Sequence, residues 1–236
     1  MRERPRMGEL MDASVGNLLV AAVFFVSSHF IMSGPLRKPL RSALGEQSFL
    51  LAYSLVSLLA LTWLIVAFDR AEPGLPLYDG TAIVPWLAAS VLTLVAMTLL
   101  LPSFARNPAL PGRKEAGLGT VIPSGVFTVT RHPMMWGFAL WAIAHMIAAP
   151  TLPVAIMMTS IIVLALVGSH LQDKRKLAGN TREFGPWQRR TSFWPRLGKL
   201  MEMRLSWLVA LLVWFIATWA HYHFFGIPAG IWMWIG

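Results

Sequence analysis

Apolar residues gather in six long blocks, near 14–33, 46–68, 82–104, 132–149, 151–170 and 205–225, and charged residues fall almost wholly between them. A bilayer core roughly 30 Å thick needs about 20 apolar residues at about 1.5 Å of helical rise each. Each block is therefore predicted to be a membrane-spanning helix, or nearly long enough to be one. "AAPTLP" separates the fourth block from the fifth, and Pro150 and Pro153 break the helix so tightly that the two form an antiparallel hairpin. The opening stretch, basic and then apolar, lacks a small-x-small cleavage site and reads on as a retained first helix. No internal repeat or low-complexity segment interrupts the pattern. The expectation is an all-α fold: a polytopic membrane helical bundle of about six transmembrane helices, one integral membrane domain over 1–236, with a long loop near 171–204.

Composition agrees. Of 236 residues 56% are hydrophobic and 13% charged, and the mean hydropathy of +0.59 is too high for a water-soluble domain. An excess of 20 Lys and Arg over 11 Asp and Glu would point to nucleic acid in a soluble protein. Here its distribution gives another reading. Sixteen of the 20 lie on the face that holds the first, third and fifth connections, so the positive-inside rule places the 171–204 loop in the cytoplasm and both termini on the periplasmic side. The exceptions are Arg2, Arg4, Arg6 and Arg70; the first three precede Met7 and Met11, which leaves Met1, Met7 and Met11 as candidate translation starts. "DKRK" at 173–176 and "RR" at 189–190 are topology determinants near anionic lipid, and no nucleic-acid partner is expected.

The absence of cysteine removes disulfides, thiolate nucleophiles, iron–sulfur clusters and Cys-ligated zinc. Asp, Glu and Lys are nearly absent from the spans, so histidine is the remaining chemical inventory. His29 sits inside the first span and His145 late in the fourth; His132, His170, His221 and His223 fall near span ends. Two readings of His29 stay open. It makes an interhelical hydrogen bond, aided by Ser27 and Ser28 and worth about 1 kcal/mol, or it joins His145 as one of two neutral imidazoles that hold haem iron from both sides. Phe138 and Trp141 precede His145 by seven and four residues, which puts aromatic walls for a flat ligand on its face.

The other histidines read differently. Thirteen positions separate His132 from His145, a rotation of about 220°, so the two point to nearly opposite sides of a straight helix. Arg131-His132-Pro133 looks like a helix start, with Pro133 at the first helical position and Arg131 at the headgroups. It is either a capped helix end or a place for an anion. His170 and Asp173, one turn apart, support a polar site or mark the membrane interface, and the interface is favoured. His221 and His223 are two residues apart on a helix, so at most one of them lines a cavity.

The segments "FFVSSHFIMSGPLR" (24–37), "VTRHPMMWGFALWAIAH" (129–145), "DKRK" (173–176), "FGPWQRRTSFWP" (184–195) and "WAHYHFFG" (219–226) together resemble the NnrU family. That resemblance implies a six-span protein of the bacterial inner membrane, linked to nitrite and nitric oxide reduction in denitrification. The family is in turn similar to plant zeta-carotene isomerase, a haem b enzyme. By motif its two haem-ligand histidines fall on His29 and His145, while its RHP histidine falls on His132 and is not the essential ligand. Plant relatives carry a cysteine near the second ligand, where this chain has Ala142, Ile143 and Ala144.

The resemblance thus implies haem b as cofactor and either a redox-linked role or cis–trans isomerisation of an apolar polyene. Implied partners are the lipid bilayer, a hydrophobic small-molecule substrate, and a nitrogen-oxide reductase or electron donor. "RHPMMWG" with a downstream "FG" is also similar to the isoprenylcysteine carboxyl methyltransferase group, which would imply S-adenosylmethionine. Met135 stands where that group has Tyr, and "QDKRK" where it has an acidic pair. A non-enzymatic accessory or assembly protein is the third reading.

Overall fold

Every apolar block becomes a helix in the computed structural model, which describes residues 7–105 and 117–235. Arg2, Arg4, Arg6, Arg106, Arg113 and Lys114 of the charge tally lie outside the described residues. In chain order the helices are α1 (Met7–Ser33), α2 (Arg37–Leu44), α3 (Glu46–Asp69), α4 (Ile83–Leu100), α5 (Pro133–Ala148), α6 (Leu152–Gly179), α7 (Thr181–Arg190), α8 (Leu197–Met201), α9 (Arg204–Phe225) and α10 (Trp232–Ile235). A 3₁₀ turn, Leu101–Phe104, extends α4. No strand occurs among the described residues, and the chain is an all-α polytopic membrane protein.

Five of these helices are long and apolar enough to cross a membrane: α1, α3, α4 with its 3₁₀ turn, α6 and α9. The sixth expected span, α5, has 16 residues, about 24 Å by rise and so short of the bilayer core by roughly a turn. Pro133 starts it and Pro150 follows its end, so it has no room to lengthen. α6 departs in the opposite direction. Its 28 residues run well past the expected boundary at 170, because Leu171 to Ala178 contains good helix formers and no Gly or Pro. The 171–204 region is therefore largely helical. Asn180 stops α6 and restarts the chain as the cap of α7, accepting the Glu183 N–H at 3.3 Å.

The chain divides into two compact units. The first holds residues 1–80 and 149–164, with a core of Leu18, Ala21 and Phe25 from α1 against Ala60, Leu64 and Ala67 from α3. Small residues in that seam let the two backbones approach, which is how helices associate where lipid offers no hydrophobic drive. Apolar side chains on the other faces stay exposed, among them Val23, Leu51 and Leu59, as a lipid-facing surface requires.

The second unit holds residues 81–148 and 165–236. Its core joins Leu99, Val129, Trp136, Phe184, Trp187 and Leu200. Indole N–H groups are satisfied inside it: Trp86 donates to the Gly230 carbonyl at 2.8 Å and Trp214 to Thr93 Oγ1 at 2.9 Å. α4 and α5 pack closely at Gly137, where an added Cβ would lie 3.0 Å from both the Ala96 carbonyl oxygen and Leu100 Cβ. Gly137→Val is expected to lower stability by about 1–3 kcal/mol through this overpacking, read as a lower thermal unfolding midpoint of the detergent-purified protein. An unchanged midpoint would show that the α4–α5 contact is looser than described.

Candidate functional site

Two sequence segments far apart in the chain are laced together at the start of α5. The Arg131 N–H donates to the Ser192 carbonyl at 2.8 Å, and the Arg196 N–H to the Val129 carbonyl at 3.0 Å. Thr130 Oγ1, fully buried, donates to the Phe193 carbonyl at 2.7 Å and accepts the His132 N–H at 3.2 Å. Trp136 Nε1 donates to the same Phe193 carbonyl at 2.8 Å. Pro133 is the first residue of α5, where a missing N–H costs nothing.

Into this frame α6 inserts Asp173, 4% exposed. Its Oδ2 accepts from Arg131 Nε at 2.7 Å and Nη2 at 2.6 Å, and its Oδ1 accepts from His132 Nε2 at 2.8 Å. The Arg131 and His132 side chains are thus engaged by the chain's own carboxylate. A carboxylate only accepts, so His132 carries its proton on Nε2, and its buried Nδ1 has no hydrogen-bond partner among the described residues. The Arg131 guanidinium lies 5.5 Å from the centre of the Phe193 ring. Asp173 and His170, treated together in the sequence, separate here. Asp173 is buried within the cluster, while His170 is exposed and stands edge-on to Phe193 at 6.4 Å.

Beside the cluster opens a cleft of about 540 Å³, lined in part by Arg131, His170, Lys174, Gln188, Phe193 and Trp194. Phe193 and Gln188 were not singled out individually from the sequence. The only signal for them was the aromatic and basic "FGPWQRRTSFWP" segment that carries them.

The span histidines bond quite differently from His132. His29 Nδ1 lies 2.7 Å from the Phe25 carbonyl, and His145 Nδ1 lies 2.8 Å from the Trp141 carbonyl, each one turn back on its own helix. The interhelical bond considered for His29 is therefore an intrahelical one, and Ser28 Oγ donates to the same Phe25 carbonyl. A carbonyl can only accept, so in both rings Nδ1 carries the proton and Nε2 keeps the lone pair. Aromatic rings pack against each: Phe25 at 4.7 Å and Tyr53 at 5.8 Å from His29, Trp141 at 4.2 Å from His145. Phe138, on the same helix, is 38% exposed. His221 of α9 lies 6.3 Å from His145, with a buried Nδ1 that has no partner among the described residues. His223 turns elsewhere and stacks on Trp219 at 4.9 Å.

The NnrU protein family model matches residues 17–229. No curated protein and no solved structure matches the chain.

Removing the shared carboxylate should expose how much the cluster holds. Asp173→Ala leaves the buried His132 and the largely buried Arg131 side chain without their shared acceptor and is expected to cost about 3–5 kcal/mol. Arg131→Ala combined with Asp173→Ala should cost less than the two single losses added together. Denaturant or thermal unfolding in detergent measures both, and strictly additive losses would deny the coupling.

Proposed function

Because the chain belongs to the NnrU family and carries in each of two apolar helices an imidazole whose Nε2 keeps its lone pair, we propose that it is an integral membrane haem b protein in which His29 and His145 would hold the haem. The supporting observation is the matching pair of Nδ1–H bonds to backbone carbonyls. Such a bond fixes the tautomer and ring orientation and raises the basicity of the other nitrogen, which is how ligating histidines are usually prepared. The donor set also suits a macrocycle better than a bare ion. No group of three or more His, Cys, Asp or Glu converges among the described residues, and a porphyrin brings its own four nitrogens, so two imidazoles complete it.

The chain's own residues supply position and dielectric. Phe25 and Tyr53 flank the His29 ring, and Trp141 holds the His145 ring against its helix. Phe138 presents an exposed apolar surface on the α5 face that carries His145. When bound, haem supplies one-electron chemistry. The physiological setting we favour is redox-linked support of nitrite and nitric oxide reduction in a bacterial inner membrane, with both termini periplasmic. Haem-dependent isomerisation of an apolar polyene is the second reading, and the exposed apolar surface of Phe138 favours it. The methyltransferase reading loses support, since Asp173, the one acid in "QDKRK", is already engaged by Arg131 and His132.

Absorption spectra of detergent-purified protein, oxidised and reduced, test the proposal. The wild type is expected to show a Soret band that His29→Ala and His145→Ala each lose or strongly diminish, while His221→Ala keeps it. A full band in either of the first two variants removes that ligand. A band that survives in His29→Ala but not in His221→Ala would place the second nitrogen on α9.

A further inference from the structure

The cleft beside Arg131 changes character along its length. On α6 it is lined by Leu166 and Val167, then His170, then Asp173 and Lys174, then Leu177. These positions recur at the three- and four-residue spacing of one helical face. From Val167 to Lys174 the rise is about 10 Å, so one wall passes from apolar span to the basic DKRK turn within the depth of a lipid headgroup. The aromatic rings of Phe193 and Trp194 also line it, the latter 67% exposed.

Charge at the polar end is unequally spent. Asp173 is satisfied by Arg131 and His132 and has little left to repel an anion. Arg131 uses only Nε and Nη2 on it, from a guanidinium with five N–H donors. Lys174 is exposed and makes no ion pair among the described residues. His170 and Gln188 add further hydrogen-bonding groups. Cations and amide at one end, aliphatic and aromatic walls at the other, and a volume of about 540 Å³, within the ordinary range for small-molecule sites, describe a receptor for an amphiphile with a negative head.

We propose that this cleft binds one anionic membrane lipid, its phosphate head at Arg131 and Lys174 and the start of its chain along Leu166, Val167 and Trp194. A soluble anion would leave the apolar half unfilled. A zwitterionic lipid would bring its own cation to a site that already has Lys174. Basic residues at headgroup depth are each worth about fivefold in binding an anionic lipid.

Native mass spectrometry of the delipidated full-length protein in detergent, with phosphatidylglycerol and phosphatidylcholine added in equal amounts, tests this. One phosphatidylglycerol per chain is expected to be retained in preference. Lys174→Gln should weaken that retention about fivefold, and Val167→Trp should weaken it by filling the apolar end. Lys199→Gln, at an exposed residue paired with Glu202, should leave it unchanged. Equal retention of both lipids, or no effect of Lys174→Gln, overturns the proposal. Displacement of the lipid by inorganic phosphate alone would show a soluble-anion site, and displacement by S-adenosylmethionine a methyl-donor site; either result also overturns it.

Discussion

A single buried carboxylate organises the basic end of the second unit. Asp173 has been taken out of water, and an ion so placed is tolerable only when donors surround it. Arg131 and His132 provide them, and both stand immediately before α5. The start of that helix is thereby pinned to α6. Thr130, one residue earlier, ties the same segment to Phe193, so the ring that backs the Arg131 guanidinium is held by the same set of bonds. Arg131 therefore serves as a structural cation with donors to spare, and it also lines the cleft.

Hydrogen bonding divides the histidines into two chemical kinds. His132 commits Nε2 to a carboxylate. His29 and His145 commit Nδ1 to the carbonyl one turn back, an arrangement that an α-helix provides locally wherever the rotamer permits. The first ring is left with its lone pair on the buried Nδ1, and the other two keep theirs on Nε2, the nitrogen farther from the backbone.

Much of the fold was legible because it rests on neighbours in the chain. Apolar blocks of span length and prolines at 133, 150 and 153 act within a few residues. Helix ends were less so. α6 continues through "QDKRK" because charged residues with long side chains are good helix formers, a propensity that a hydropathy boundary ignores. α5 proved short for the converse reason, that prolines bound it whatever its hydropathy. The singular positions of His29 and His145 could be read from the sequence as polar residues in apolar surroundings, but their bonding partners could not.

Sequence by itself determined the all-α membrane architecture, the separation of charged residues from the apolar blocks, and which imidazoles lie within those blocks. Each of these follows from composition and spacing along a continuous stretch. Only the tertiary structure decided that Asp173 meets Arg131 and His132 across 42 and 41 residues, that Thr130 reaches Phe193 across 63, and that a cleft opens beside them. Periodicity tells which residues share a helix face, but the face a neighbouring helix chooses depends on side-chain packing between segments that the chain itself keeps far apart.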